Sequence, residues 1–256
     1  MIFVHILNPF GMAWLRRTNE NNVDLNRNFL ADGQYSGAPP DYARVDAYLC
    51  PKTKPSHDFF LAKTAGMIRR YGLKKLVQAI GGGQYEYPKG LFFGGKELQE
   101  GPEKYHAFLR EHVSSATRVM AIDVHTGLGR FGRDLLLAER QHYAYLRKAF
   151  GKRVILSEPE FGPSYRIRGG LHNLLSNALS GSDFRFVAQE FGTYNPIKVL
   201  HALREENRWY HYGDGSLDHP TKRALKTAFF PPNKTWRNRV LARGRVVAER
   251  ALEVLR

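Results

Sequence analysis

Apolar side chains recur along much of the chain with the spacing of an amphipathic helix. The clearest example is Leu73, Leu76, Val77 and Ile80, which stand at i, i+3, i+4 and i+7 and are followed by three glycines. Residues so spaced share one helix face, and glycine commonly ends a helix. The same patterns predict further helices at 41–49, 57–71 (with Ser56 as the N-cap), 102–114, 141–150, 169–179, 196–211 and 236–255.

Shorter apolar runs between these helices have the character of strands. Residues 118–125 form a nearly continuous apolar run, which is typical of a strand buried on both faces of a parallel sheet. Further strands are predicted at 2–7, 134–138, 153–157 and 184–191, and a short strand edge with one polar face at 23–26. Helices alternating with such strands predict an α/β fold with a mixed, mostly parallel twisted sheet flanked by helices. The length fits a single domain over residues 1–256.

Cysteine usage and the first residues bear on location. Cys50 is the one cysteine in the chain, so no disulfide can form within it. This suits a reducing compartment, and we expect a cytoplasmic protein. The apolar residues 2–7 are too few to span a bilayer and follow no cationic leader. They therefore predict neither a transmembrane helix nor a signal peptide.

The chain is basic, with a net charge of +15 from 39 Lys and Arg against 24 Asp and Glu. Residues 221–256 hold ten of the basic residues and only two of the acidic ones. Such a surface can attract nucleic acid or anionic lipid. A solvated helix face explains the same charges more simply, and no nucleic-acid-binding motif is present, so a nucleic-acid partner is disfavoured.

Polar and cationic side chains are concentrated in residues 14–29, WLRRTNENNVDLNRNF. Guanidinium and amide groups grip carboxylates through charge-assisted hydrogen bonds, so this set suits an anion-binding site. An asparagine-rich turn with satisfied side chains would give the same composition. The glycine-rich stretch at 81–95 is similarly open to two interpretations, a rigid loop at the mouth of a pocket or an ordinary connection. It has no phosphate-binding GxxxxGK[ST] pattern.

Five short motifs, taken in order, resemble the zinc carboxypeptidases. They are NPFG at 8–11, RRTN at 16–19, VDLNRNF at 23–29, IDVHTG at 122–127 and QEFGTY at 189–194. The likeness extends to the wider superfamily that includes succinylglutamate desuccinylase and aspartoacylase, and is strongest to a bacterial carboxypeptidase-like branch with no assigned substrate. It implies the carboxypeptidase-type α/β sandwich and a hydrolase dependent on one zinc ion.

The resemblance gives roles to two residues near predicted strand ends. His125 would be a zinc ligand, although a lone histidine in that position is more often a hydrogen-bonded core residue. Glu190 would be the general base that takes a proton from metal-bound water. The apolar neighbours of Glu190 independently favour a raised pKa, because burial disfavours the charged carboxylate. The alternative for Glu190 is a structural ion pair at the end of a strand.

Further roles follow from the same resemblance. Asn26 and Arg27 resemble the pair that grips the terminal carboxylate of a substrate. One arginine of the pair at positions 16 and 17 would stabilise the oxyanion, and the sequence leaves open whether this is Arg16 or Arg17. Asp24 resembles the carboxylate that orients a zinc-bound imidazole. Tyr165 stands roughly where related enzymes carry a mobile substrate-binding tyrosine.

One element of the family pattern is missing. The family takes two zinc ligands from a His-x-x-Glu that precedes NPFG, and none of the ten histidines here is followed by Glu at i+3. We therefore expect a carboxypeptidase-like domain that lacks its N-terminal part. It would be either a fragment of a longer enzyme or a non-catalytic remnant with a basic tail. The expected function is zinc-dependent cleavage of an amide next to a free carboxylate, with a peptide substrate or, alternatively, an N-acyl amino acid as in the aspartoacylases.

Overall fold

Four strands form the central sheet in the computed structural model, which describes residues 1–158 and 166–256. They are β1 (Arg118–Phe131), β2 (Asp134–Ala138), β3 (Val154–Leu156) and β4 (Asp183–Gly192), and they lie in the order β1-β4-β2-β3. β1 pairs with β4 in parallel, β2 pairs with β3 in parallel, and β2 pairs with β4 antiparallel. The expected mixed, mostly parallel sheet is confirmed.

Ten α-helices surround this sheet in the described ranges. They are α1 (Pro9–Ala13), α2 (Tyr42–Leu49), α3 (Phe60–Tyr71), α4 (Leu73–Gly81), α5 (Glu100–His112), α6 (Arg140–Phe150), α7 (Leu171–Ala178), α8 (Pro196–Tyr212), α9 (Pro220–Phe229) and α10 (Lys234–Leu255). None of the helices that the structure describes is long and apolar enough to cross a membrane.

Alternating residues of β4 face two different apolar layers, as strand geometry requires. Phe184 and Phe186 pack with α5 and α7 on one side of the sheet. Val187 packs with α6 and α10 on the other side. A third apolar cluster joins α2, α4, α8 and α9 beside the sheet. The sheet is therefore covered by helices on both faces, as the sequence predicted.

Three of the strand predictions were wrong in position or burial. Residues 2–7 form no strand, and the Phe3 side chain is 79% exposed. Residues 23 and 24 lie in a loop, and residues 25 and 26 belong to a 3₁₀ turn at Leu25–Arg27. β1 lies at an edge of the sheet rather than within it, and its Val124 is 59% exposed. An apolar pattern marks residues that tend to be buried, but it does not identify a pairing partner.

Most helix predictions agree with the structure to within a few residues. The exceptions are one helix that begins later than predicted and two short helices that were not predicted. Ser56 does not cap α3, which begins at Phe60 after Phe59 in a left-handed conformation. α1 and α9 were not predicted. In both, proline stands at the start and the preceding residue, Asn8 or His219, caps the helix through its side chain.

Candidate functional site

β1 and β4 bring His125 and Glu190 together on adjacent strands. The two residues are direct partners in the parallel register. They lie on the wall of a cavity of about 730 Å³, together with Ala188 and Phe186 of β4. Because Phe186, Ala188 and Glu190 alternate along the strand, they share the face that forms the cavity floor.

Glu190 is 8% exposed, and its Oε1 accepts a hydrogen bond of 2.9 Å from the backbone N–H of Leu128. Burial raises the pKa of the Glu190 carboxyl above its ordinary value, although His125, the Leu128 N–H and Arg17 oppose the rise. A carboxyl group with a raised pKa exchanges protons at a pH closer to neutrality. Glu190 is thus suited to take a proton from a water molecule in the cavity.

His125 is paired with a second carboxylate that also lines the cavity. Its Nε2 lies 2.6 Å from Asp123 Oδ2. Burial lowers the pKa of the imidazole, but Asp123 and Glu190 outweigh that effect and hold it above the ordinary value. Asp123 had been given no role from the sequence. Its spacing of two residues from His125 on one strand was the available signal, because such residues point to the same face.

Arg17 reaches the cavity from the loop that follows α1. Its Nε donates to Asp24 Oδ2 at 2.8 Å, and its guanidinium lies 5.3 Å from the centre of the Phe92 ring. Burial raises the pKa of Asp24, but the charges of Arg17 and Arg27 hold it below its usual range. Asp24 is therefore an anion that orients Arg17. Its contacts among the described residues do not include the imidazole that we had expected.

Arg16 points away from the cavity, although it is the next residue in the chain. Its side chain is 1% exposed, and its Nε lies 3.4 Å from Glu206 Oε1. Its Nη2 donates to Asn22 Oδ1, and its guanidinium lies over the Tyr210 ring at 3.3 Å. Glu206 also accepts a hydrogen bond of 2.6 Å from Lys222. The structure thus separates the two arginines, and Arg17 is the one beside His125 and Glu190.

Asn26 lines the cavity, and its Oδ1 accepts a hydrogen bond of 3.1 Å from the backbone N–H of Leu171. Arg27, by contrast, is completely buried and does not line the cavity formed by the described residues. Its Nε and Nη2 both donate to the carbonyl of Gly81, at 3.0 and 2.6 Å. A Cβ at Gly83 (φ +97°) would come within 2.7 Å of the Arg27 side chain. The glycine-rich stretch therefore makes room for Arg27.

Two features remain, the predicted substrate-binding tyrosine and a second polar cluster in the cavity. Tyr165 lies outside the described residues. Farther along the cavity wall, His172 Nε2 lies 2.9 Å from Glu139 Oε1, and Arg140 pairs with Glu158. No short sequence motif marks this cluster, because its members come from separate elements.

The donor set does not fit a zinc ion. A catalytic zinc takes three protein ligands and a water molecule. Among the residues that the structure describes, no group of three His, Cys, Asp or Glu side chains could hold a metal. Of the two described histidines that line the cavity, His125 is the register partner of Glu190 and its Nε2 is engaged by Asp123, whereas His172 is paired with Glu139. The remaining ligands of a zinc site here would have to come from outside the described residues.

Comparison with known proteins gives one match. The model of a family described as a protein of unknown function (DUF2817) matches residues 1–243. No curated protein and no solved structure matches the chain. The family description contains nothing about carboxypeptidases or zinc, so the resemblance drawn from the motifs stays a prediction.

Proposed function

We propose a function on the premise that the chain belongs to the DUF2817 family, whose description assigns none. The protein is a hydrolase that cleaves an amide bond next to a free carboxylate, which is the reaction that the resemblance to the carboxypeptidases implies. The alternative substrate is an N-acyl amino acid, as for the aspartoacylases. The observation that carries the proposal is the convergence of Arg17, His125 and Glu190 on one cavity.

Each of these residues has a distinct part in the reaction. Glu190 removes a proton from the attacking water, because its buried carboxyl has a raised pKa. The guanidinium of Arg17, which Asp24 orients, pairs with negative charge on the bound substrate or on the tetrahedral intermediate. The proton that Glu190 takes from water passes to the nitrogen of the leaving amine as the C–N bond breaks, and the paired Asp123 and His125 hold a further proton beside Glu190.

The basic residues 221–256 do not support a second function in binding nucleic acid or anionic lipid. Arg243 of α10 pairs with Asp134, Arg245 pairs with Glu249, and Arg250 pairs with Glu253. The pairs of Arg245 and Arg250 are exposed, as is typical of a solvated helix face, whereas Arg243 pairs with an aspartate that is buried in the sheet. We propose a cytoplasmic location, because the single cysteine, Cys50, allows no disulfide within the chain and so suits a reducing compartment.

The test is a hydrolysis assay against short peptides and N-acyl amino acids. It is run with added zinc and with a chelator, on this chain and on the chain extended by any upstream in-frame codons. We expect release of a free amine by the wild type and none by Glu190→Gln, which keeps the shape and removes the base. Failure to hydrolyse either class under every condition would contradict the proposal.

A further inference from the structure

The cavity continues from its charged end into an apolar lobe. α3 and α4 form one wall of the lobe, and α8 forms the other. The lobe is lined by aliphatic side chains, namely Met67, Ile68, Leu76, Val77, Ile80, Val199, Leu200 and Leu203. The cavity thus combines polar groups on other parts of its wall with one lobe that is apolar, an arrangement that suits an amphiphilic ligand.

Thr64 and Tyr48, two polar residues of the lobe that the structure describes, already have hydrogen-bond partners. Thr64 donates from Oγ1 to the carbonyl of Phe60 at 2.7 Å, and the Tyr48 hydroxyl lies 2.7 Å from the same Oγ1. A peptide lying there would bury amide N–H and C=O groups without partners, and each unsatisfied group is costly. An aliphatic chain brings no such groups. The lobe therefore favours hydrocarbon over peptide.

From the continuity of Arg17, Glu190 and this lobe within one cavity, we infer that the substrate is an N-acyl amino acid with an aliphatic acyl chain long enough to enter the lobe. The inference rests on the proposed function and selects between its two substrate classes. The anionic amino-acid end meets Arg17 and Asn26, and the amide lies by Glu190. The acyl chain then extends between α4 and α8.

The test measures binding of N-acylglycines with acyl chains of two to twelve carbons, by isothermal titration calorimetry. Each methylene buried in an apolar site contributes about 0.8 kcal/mol, which is about fourfold in Kd. We expect Kd to fall by about that factor per methylene until the lobe is filled. N-acetylglycine is the short reference ligand, because its acetyl group is too short to reach the lobe.

Two tryptophan substitutions on α4 form a matched pair. Val77→Trp fills the lobe, whereas Lys74→Trp adds the same side chain at an exposed position of the same helix. We expect the ratio of the N-decanoylglycine and N-acetylglycine affinities to fall at least tenfold in Val77→Trp and to be unchanged in Lys74→Trp. If Val77→Trp does not fold, as judged by circular dichroism, Val77→Asn replaces it. The asparagine amide weakens binding of the ligand's acyl chain in the lobe without adding bulk.

The outcomes separate this inference from the proposed function. Hydrolysis of short N-acyl amino acids or peptides, with affinities independent of chain length, overturns the inference and leaves the proposed function standing. A chain-length dependence that survives Val77→Trp and Val77→Asn also overturns it. If no N-acylglycine binds and no amide is hydrolysed, both are overturned.

Discussion

Replacement of Glu206 by glutamine tests whether Arg16 has a structural role. The Glu206 carboxylate is 4% exposed and stands between two cations, Arg16 at 3.4 Å and Lys222 at 2.6 Å, whose side chains are no more than 1% exposed. Glu206→Gln removes the only negative charge of this trio. The two cations would then share a buried site without a counter-ion.

The magnitude follows from that burial. Breaking a buried ion pair by removing one partner costs about 3–5 kcal/mol, and glutamine retains a hydrogen-bond acceptor, so we expect about 3 kcal/mol. At about 2–4 °C per kcal/mol for a chain of this size, Tm should fall by roughly 6–12 °C. Urea unfolding followed by circular dichroism and a thermal scan measure the two quantities.

The control is Glu249→Gln, which removes the partner of Arg245 in an exposed pair on α10. Exposed pairs contribute about 0–1 kcal/mol, so this variant should unfold almost as the wild type does. A Glu206→Gln variant no less stable than Glu249→Gln would refute the assignment of Arg16 to the buried trio. Arg16 would then again be a candidate for the catalytic role that we assign to Arg17.

Two further predictions concern the site. Glu190→Gln should be more stable than the wild type at pH 7, because burial raises the pKa of Glu190 and the folded state is penalised once the carboxyl ionises; the gain should vanish below about pH 4, where both states are protonated, as urea titrations at several pH values would show. An equal gain at pH 7 and at low pH would contradict this reasoning. Zinc should bind this chain substoichiometrically, because the described residues contain no group of three His, Cys, Asp or Glu side chains that could hold it. Elemental analysis after dialysis measures that ratio, and one zinc per chain, lost in His125→Ala, would show that the ligand set has been misjudged.

The sequence predicted the sheet and most helices because their apolar spacing is a local property. β2, for example, occupies the predicted residues, Asp134–Ala138. Residues 2–7 have an equally good strand pattern, yet they pair with no strand in the described part of the chain. Whether such a run becomes a strand depends on a partner elsewhere, which the pattern does not encode.

The candidate site was predictable where a residue's place follows from its strand. His125 and Glu190 are register partners on adjacent strands, as expected of two parallel strands that end at one cavity. The arginines were not predictable in the same way. Arg27 is bound to the Gly81 carbonyl, 54 residues along the chain, and Arg16 to Glu206 of α8. Partners so distant in sequence arise only from the tertiary fold, so composition alone could not separate these two from Arg17.

The central claim is that the cavity hydrolyses an amide next to a free carboxylate. The most direct test compares kcat/KM for an N-acyl amino acid with that for its methyl ester, which lacks the negative charge. A hydrogen-bonded charge contributes about 1.5–3 kcal/mol, so capping the carboxylate should lower kcat/KM by roughly 10- to 150-fold. The difference should shrink in Arg17→Met. Equal rates for the free acid and the ester, or activity that survives Glu190→Gln, would contradict the account.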